Sequence, residues 1–220
     1  MAMGQVVVIA SSKGGCGKSL LCTALAVNLI RRGYAVTVTD GDPNQTFTAW
    51  FKLAENPGIE ASSCVSEDEI VGHLLAKAEN CDVAICDTGG WMNQTTVFSF
   101  GAADMVLVPV MPDRGSVLEA RRTARKIESV GEIARREIPY RIVLSRWTPK
   151  GLLERATLSD LTAANLPHLT QHIPNLTAFA KAGFSGEMPS TGFIGHVLSQ
   201  LIDELVGLGA VPPKAKRSAA

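Results

Sequence analysis

A chain of 220 residues with 46% apolar and 19% charged residues can bury one large core and does not have the composition of a disordered polymer. Its 21 basic and 21 acidic residues cancel, which excludes bulk charge as a route to binding polyanions. Five cysteines, an odd number, and no basic-then-apolar leader argue for a reducing, cytoplasmic setting over a disulfide-stapled secreted scaffold.

The first element is a strand, Val6 to Ala10, which runs into Ser11-Ser12-Lys13-Gly14-Gly15-Cys16-Gly17-Lys18-Ser19 and then a helical pattern from Leu20 to Leu29. Strand, glycine-rich turn and helix start together form the context of a phosphate-binding loop. Glycines let successive backbone N–H groups converge on an anion, and the helix N-terminus adds the positive end of its dipole. Lys18 offers a point charge to the outer phosphates, and the Ser19 hydroxyl a ligand to Mg²⁺. The general pattern G-x-x-x-x-G-K-S/T is not met in full, since Ser12 stands at its first glycine and a second lysine, Lys13, sits inside the loop. Cys16 reads as a small side chain tolerated in the loop, ahead of a redox-sensitive thiol. The helix pattern, bounded by Lys18 and Arg31, is too short for the ~20 apolar residues of a membrane span.

Arg31-Arg32-Gly33 is a helix stop, and Tyr34 to Thr39 a second strand ending at Asp40-Gly41-Asp42-Pro43. A short helix is expected over 46–54, with Trp50 and Phe51, and a strand over Ile59 to Cys64. Ser66 and Glu69 have capping-box spacing, which predicts a helix from there to Glu79. Asp82 to Asp87 is an apolar strand ending in a carboxylate, followed by Thr88-Gly89-Gly90. Asp104 to Val110 is a further buried strand, with Pro109 and Pro112 expected to end it. A long helix is expected from about Gly115 to Glu137, a strand over Arg141 to Ser145, and a helix over Leu152 to Asn165. A short strand near His172 and helices over Leu176 to Ala182 and Phe193 to Leu208 complete a single domain over 1–210. Residues 211–220 read as a disordered basic tail.

Strands alternate with helices, and each strand is continuously apolar, which predicts an α/β doubly wound fold: a mainly parallel sheet with helices on both faces. Ligands in such sheets bind beyond the C-terminal strand ends, where loop 11–19, Asp40, Asp42 and Asp87 all fall. Asp40 can also be read as a turn-capping aspartate, and Asp42 as an Asx turn ahead of Pro43.

Lys-Gly-Gly-Cys-Gly-Lys-Ser with the extra Lys13, Asp40-Gly-Asp42-Pro-Asn, Ile85-Cys-Asp87-Thr-Gly-Gly and Phe179-Ala-Lys-Ala-Gly-Phe-Ser-Gly186 resemble, in order and spacing, the segments of the ParA/MinD superfamily of deviant Walker A ATPases. Asp42-x-Asn44 followed by Trp50 is similar to the VirC-type members that assist DNA transfer. The resemblance implies the P-loop NTPase fold and a weak Mg²⁺-dependent ATPase that closes a homodimer around two ATP molecules. ATP would lie against Lys13, Gly14, Gly15, Cys16, Gly17, Lys18, Ser19 and Leu20, with Arg146 and Asn175 near the purine. Ser19 and Asp87 would serve Mg²⁺, with Asp40 supporting from one layer further out. Asp42 would orient the attacking water, and Lys13 would reach the γ-phosphate of the partner subunit's ATP. The family further implies non-specific DNA binding, nucleoid association when ATP is bound, and a partner protein that stimulates hydrolysis, in partition or conjugative transfer. Two alternatives remain: positioning of a non-DNA cargo, and MinD-like regulation. The last would want a basic amphipathic helix with bulky apolar residues and is disfavoured by Pro212-Pro213 and the absence of an aromatic in the tail, so no stable membrane insertion is expected.

Charge is unevenly placed along the chain. Residues 1–113 hold 6 Lys/Arg against 12 Asp/Glu, whereas 114–150 hold 10 against 4. In the long helix Arg121, Arg122, Arg125 and Lys126, with Arg135 and Arg136 further on, form i, i+4 pairs suited to sequence-independent phosphate contacts. An ordinary solvated face, partly neutralised by Glu128 and Glu132, is an equal reading.

Overall fold

The computed structural model of the chain describes residues 3–45, 47, 48, 59–90, 92–185 and 187–214. Seven strands form one sheet: β1 (Gln5–Ile9), β2 (Val36–Gly41), β3 (Glu60–Ser63), β4 (Val83–Thr88), β5 (Met105–Val110), β6 (Tyr140–Trp147) and β7 (His168–Pro174). Their spatial order is β3-β2-β4-β1-β5-β6-β7, and every neighbouring pair is parallel. The described helices are α1 (Lys18–Arg31), α2 (Ile70–Ala78), α3 (Gln94–Ala102), α4 (Arg114–Ala134), α5 (Leu152–Ala163), α6 (Thr177–Ser185) and α7 (Gly192–Gly207).

Parallel strands need crossover connections, and helices used for them cover both sheet faces, which is why the central strands β1, β4 and β5 are largely apolar and buried, whereas the edge strand β3 is polar and mostly exposed. Along β1, Val7 and Ile9 enter a core built with α1, α6 and α7, while Val6 and Val8 enter a second core built with α2, α3, α4 and α5. β5 divides in the same way, Met105 and Leu107 to one side, Val106, Val108 and Val110 to the other. The helix stop at Arg31-Arg32-Gly33 forms a Schellman closure: Gly33, at φ 79°, donates from its N–H to Ile30 O, and Tyr34 N–H donates to Leu29 O.

Some local expectations are corrected. α2 starts at Ile70, after a turn, with no side-chain cap, so the Ser66/Glu69 capping box does not form; the Ser66 carbonyl instead accepts from Ile70 N–H. The sequence predicts no helix over 94–102, yet α3 forms there. Its sequence is rich in Thr and Phe, residues of modest helix propensity, and its start is set by Asn93, whose side chain accepts from Thr96 N–H. Pro109 lies within β5, paired in register with Val143, and does not end it. α4 stops at Ala134, because Arg135 adopts a left-handed conformation (φ 54°) and Arg136 N–H turns back to Gly131 O. Arg135 and Arg136 therefore leave the helix, and Arg136 Nη2 donates to the carbonyls of Gly101 and Ala103 at the end of α3.

The packed chain also extends past the expected start of the tail. Val211 is buried, Tyr34 Oη donates to Pro212 O, and Lys214 Nζ lies 4.7 Å above the Tyr34 ring. Most of the helix expected over 46–54, and the tail beyond Lys214, lie outside the described residues. Among the described residues no helix is long and apolar enough to cross a membrane.

Candidate functional site

The strand order places β1 between β4 and β5, where successive connections diverge to opposite sides of the sheet. A crevice opens at the C-terminal ends of such strands, and here loop 11–17 occupies it. Gly17 caps α1 at φ 97°, a left-handed conformation that favours glycine, and a Cβ on it would stand 3.0 Å from Ser145 Oγ at the end of β6. At Gly14 and Gly15 an added Cβ would meet nothing within 4 Å, so the loop borders open space. Lys18 is the first residue of α1 and is buried, and Cys16 is fully buried, which fits the reading of a small packed side chain. The β4–α3 loop approaches from above: a Cβ on Gly90 would lie 3.7 Å from Gly14 Cα and 3.9 Å from Lys18 Nζ.

Three carboxylates meet this loop from β2 and β4. Asp40 and Asp87 are register partners across the two strands, and both are buried. Asp40 is engaged locally: Oδ1 accepts from Asp42 N–H at 3.0 Å, and Oδ2 accepts from Thr48 N–H and Thr48 Oγ1 at 2.8 and 2.9 Å. It braces the turn that carries Asp42, which is the capping reading of this residue. Asp42 Oδ1 accepts from the backbone N–H and Nδ2 of Asn44, so the Asx turn forms as well, while Oδ2 has no hydrogen-bond partner among the described residues. The Asp42 carboxyl carbon lies 3.4 Å from where a Cβ on Gly89 would be, which sets it over the end of β4.

Asp87 differs from both. Its Oδ1 is buried without any partner among the described residues. Burial pushes its carboxyl up to about 7, and Asp40 and Asp42 add to the rise against the opposing effects of Ser19 and Lys18. A buried, under-satisfied carboxylate costs free energy unless something cationic completes it. Among the described residues no group of three or more His, Cys, Asp or Glu could hold a metal ion. The buried Asp87 oxygen and the Ser19 hydroxyl beside it suit Mg²⁺, which takes one or two protein oxygens and fills its remaining positions with phosphate oxygens and water. Ser19, Lys18 and Asp87 thus fit a Mg²⁺–nucleotide, with Asp40 acting through the backbone of the Asp42 turn.

Lys13 points away from this cradle. Its Nζ donates to both oxygens of Asp113 at 2.7 Å and to Ser116 Oγ at 3.0 Å, at the start of α4. Asp113 also caps that helix, accepting from Ser116 N–H at 2.8 Å. Burial alone would raise the Asp113 carboxyl, but its hydrogen bonds from Lys13 and Ser116 outweigh it and hold the group below its usual value. Neither Asp113 nor Ser116 was legible as a site residue. An Asp-x-x-Ser stretch ahead of a helix signals a cap, and nothing local ties it to a lysine 100 positions earlier.

The residues expected near the purine come together. Arg146 stands at φ 53° where the β6–β7 register is irregular, and Asn175 N–H donates to Trp147 O beside it. Both side chains are exposed at the rim that Ser145 shares with Gly17, and a strained backbone of this kind concentrates at binding sites. The four basic residues of α4 divide. Arg122, Arg125 and Lys126 line one cavity, with Ser12, whereas Arg121 lines another, with Arg114 and Asp160 of α5.

A sheet of this order with a glycine cradle at its divergence point defines a nucleotide-binding α/β protein. A family model described as the CobQ/CobB/MinD/ParA nucleotide binding domain matches residues 7–189, and the chain belongs to that family. It is similar to Protein ParA of Rhizobium radiobacter, 33% identical over 145 residues, which are 66% of this chain and 65% of that protein, just under two thirds of its length. It is also similar to Maintenance of carboxysome distribution protein A of Halothiobacillus neapolitanus, 23% identical over 181 residues, 81% of this chain and 83% of that protein. In fold it resembles a Cyanothece McdA variant in complex with ATP, at a TM-score of 0.79 and 16% identity over 98% of this chain and 100% of that one.

Proposed function

We propose that this chain is an ATP-driven molecular switch: a Mg²⁺-dependent ATPase that dimerises on ATP and then holds DNA through non-specific phosphate contacts. The observation that carries the reading is the pairing of a buried Asp87 oxygen beside Lys18, without a partner among the described residues, with a Lys13 turned out of the same cradle. The first calls for a cation and a phosphate. The second leaves the γ-phosphate position of each subunit open to a lysine supplied in trans, as an arginine finger is.

The residues take the following parts. Lys18 and the N–H groups of loop 13–19 neutralise and position the phosphates. Ser19 and Asp87 hold Mg²⁺, directly or through water. Asp42, with Oδ2 free of the Asx turn, orients the attacking water, and Asp40 keeps that turn in place. Mg²⁺ held by Ser19 and Asp87 would offset the negative charge that develops on the phosphate oxygens. Arg146 and Asn175 flank the base.

The DNA cargo is supported by the similarity to a ParA protein and by the basic residues of α4. A non-DNA cargo is the second reading, favoured by the similarity to a protein named for maintenance of carboxysome distribution.

The deciding experiment is light scattering on a sizing column with Mg²⁺ and a non-hydrolysable ATP analogue, with and without duplex DNA. A mass that doubles only with nucleotide, and co-elution with DNA only in that state, is expected. A monomer under every condition would overturn the switch, and a nucleotide-dependent dimer that ignores DNA at low salt would overturn the DNA contacts, on which a cargo positioner that uses the nucleoid as its track also depends.

A further inference from the structure

Ser12 is the residue at which loop 11–19 departs from the general phosphate-loop pattern, and the nucleotide cradle has no use for its side chain. Its hydroxyl is engaged elsewhere, donating to Glu119 Oε2 on α4. The other oxygen of Glu119 accepts from Arg122 Nη1. Around this chain of contacts lies a cavity of about 370 Å³, bounded by Ser12, Met92, Arg122, Arg125, Lys126 and Ser129.

The electrostatics of the cavity are one-sided. Three cations face one carboxylate, and among the described residues neither Arg125 nor Lys126 forms an ion pair. The Glu119–Arg122 pair is an i, i+3 contact whose arginine side chain is 63% exposed, so water screens it and it holds the arginine weakly. Phosphate oxygens bind arginine through shorter, charge-assisted and often bidentate bonds, so an incoming phosphate competes well for Arg122. The basic surface also extends beyond the cavity. Arg114 and Arg121 are exposed higher on the same helix, where they line the separate cavity beside α5. The cations of the cavity itself, Arg122 to Lys126, span about 6 Å of helix at 1.5 Å per residue, close to two phosphate spacings of about 3.4 Å along the duplex axis.

We propose that the cavity between the phosphate loop, Met92 and α4 seats backbone phosphates of a nucleic acid, with Glu119, tethered to the loop by Ser12, as the built-in competitor for Arg122. This rests on the DNA-binding reading above and gives it a location. It separates Arg122, Arg125 and Lys126, which receive the phosphates, from Arg121, which faces α5.

The test is binding of a fluorescein-labelled duplex of arbitrary sequence to the full chain, with Mg²⁺ and the ATP analogue, across a salt series. Three proteins are compared: wild type, the triple variant Arg122→Ala/Arg125→Ala/Lys126→Ala, and Glu119→Ala. All substituted positions lie on one solvent-facing side of α4, and alanine favours the helix; unchanged melting and nucleotide binding verify the fold. The triple variant is expected to lose at least about tenfold in affinity at low salt, with a salt slope shallower by roughly 0.9 per phosphate contact removed. Glu119→Ala is expected to bind severalfold more tightly with no loss of slope, because the competitor is gone and the cations remain. Wild-type binding that the triple variant reproduces in affinity and slope would overturn the seat and leave the DNA reading intact. No binding by the wild type at low salt would overturn both. A parallel arm with phosphatidylglycerol vesicles guards against the wrong polyanion: cation-dependent binding to vesicles and not to duplex would also overturn the proposal.

Discussion

Lys13 Nζ sits 2.7 Å from each carboxylate oxygen of Asp113, and the same carboxylate caps α4 through Ser116 N–H. One side chain therefore holds the loop lysine and starts the helix that follows β5. The pair is partly exposed, 28% at Lys13 and 42% at Asp113, so its contribution is on the order of 1 kcal/mol. A γ-phosphate offers Lys13 a more highly charged partner, and the latch is cheap to open by comparison. Asp113→Ser is the informative change, because serine keeps the cap and removes the charge. Its nucleotide-dependent dimer is expected to form at lower ATP-analogue concentration than that of the wild type. An unchanged threshold in sizing experiments would mean that the latch has no influence on closure.

Lys18 is buried at the first position of α1, with its Nζ close to Gly90. Lys18→Ala removes the only lysine that faces the phosphate position within its own chain among the described residues. Calorimetric titration with ADP and with ATP is expected to show binding weakened beyond detection, while melting of the nucleotide-free protein changes little. Retained ADP affinity would place the phosphates elsewhere.

Asp42 stands over Gly89 with one oxygen in the Asx turn and the other without a partner among the described residues. Asp42→Ala is expected to keep ATP binding, lose phosphate release by a factor of about 10² or more, and accumulate the dimer, since orienting the nucleophile belongs to the chemical step alone. Coupled-assay turnover and sizing in ATP measure the two halves separately. Normal turnover in this variant would assign water orientation to another group.

Asp87 carries a pH signature. An unfolded aspartate ionises near pH 4, whereas burial pushes the folded carboxyl up to about 7. Between those values the folded state holds the extra proton, so its stability falls as pH rises through the window, by about 1.4 kcal/mol per unit at most. Asp87→Asn abolishes that slope. In the absence of nucleotide the variant is expected to melt above the wild type at pH 8 and alongside it near pH 4, even though it loses Mg²⁺-dependent nucleotide binding. A wild-type melting profile without this pH-dependent difference would show that Asp87 ionises normally.

The phosphate loop was legible because its chemistry is consecutive. Glycines, Lys18 and Ser19 follow one strand and open one helix, and backbone geometry over nine residues does the rest. The parallel sheet was legible from strands apolar on both faces. α3 was not, because Thr and Phe carry no clear helical pattern until Asn93 caps them and the second core buries Phe100. The four cations of α4 were visible as a helical stripe, but helical spacing could not say that Arg121 faces α5 while its neighbours face the loop.

Sequence alone determined the class of the site: a phosphate cradle at the end of a buried strand, with carboxylates delivered to the same rim by two other strands. Only the tertiary structure decided what the two unusual loop residues do. Lys13 meets Asp113 across 100 positions of sequence, and Ser12 meets Glu119 across 107. Such partners come into reach only when β1 and β5 pair and α4 packs beside the loop, because a hydrogen bond is set by distances of about 3 Å that no local pattern encodes.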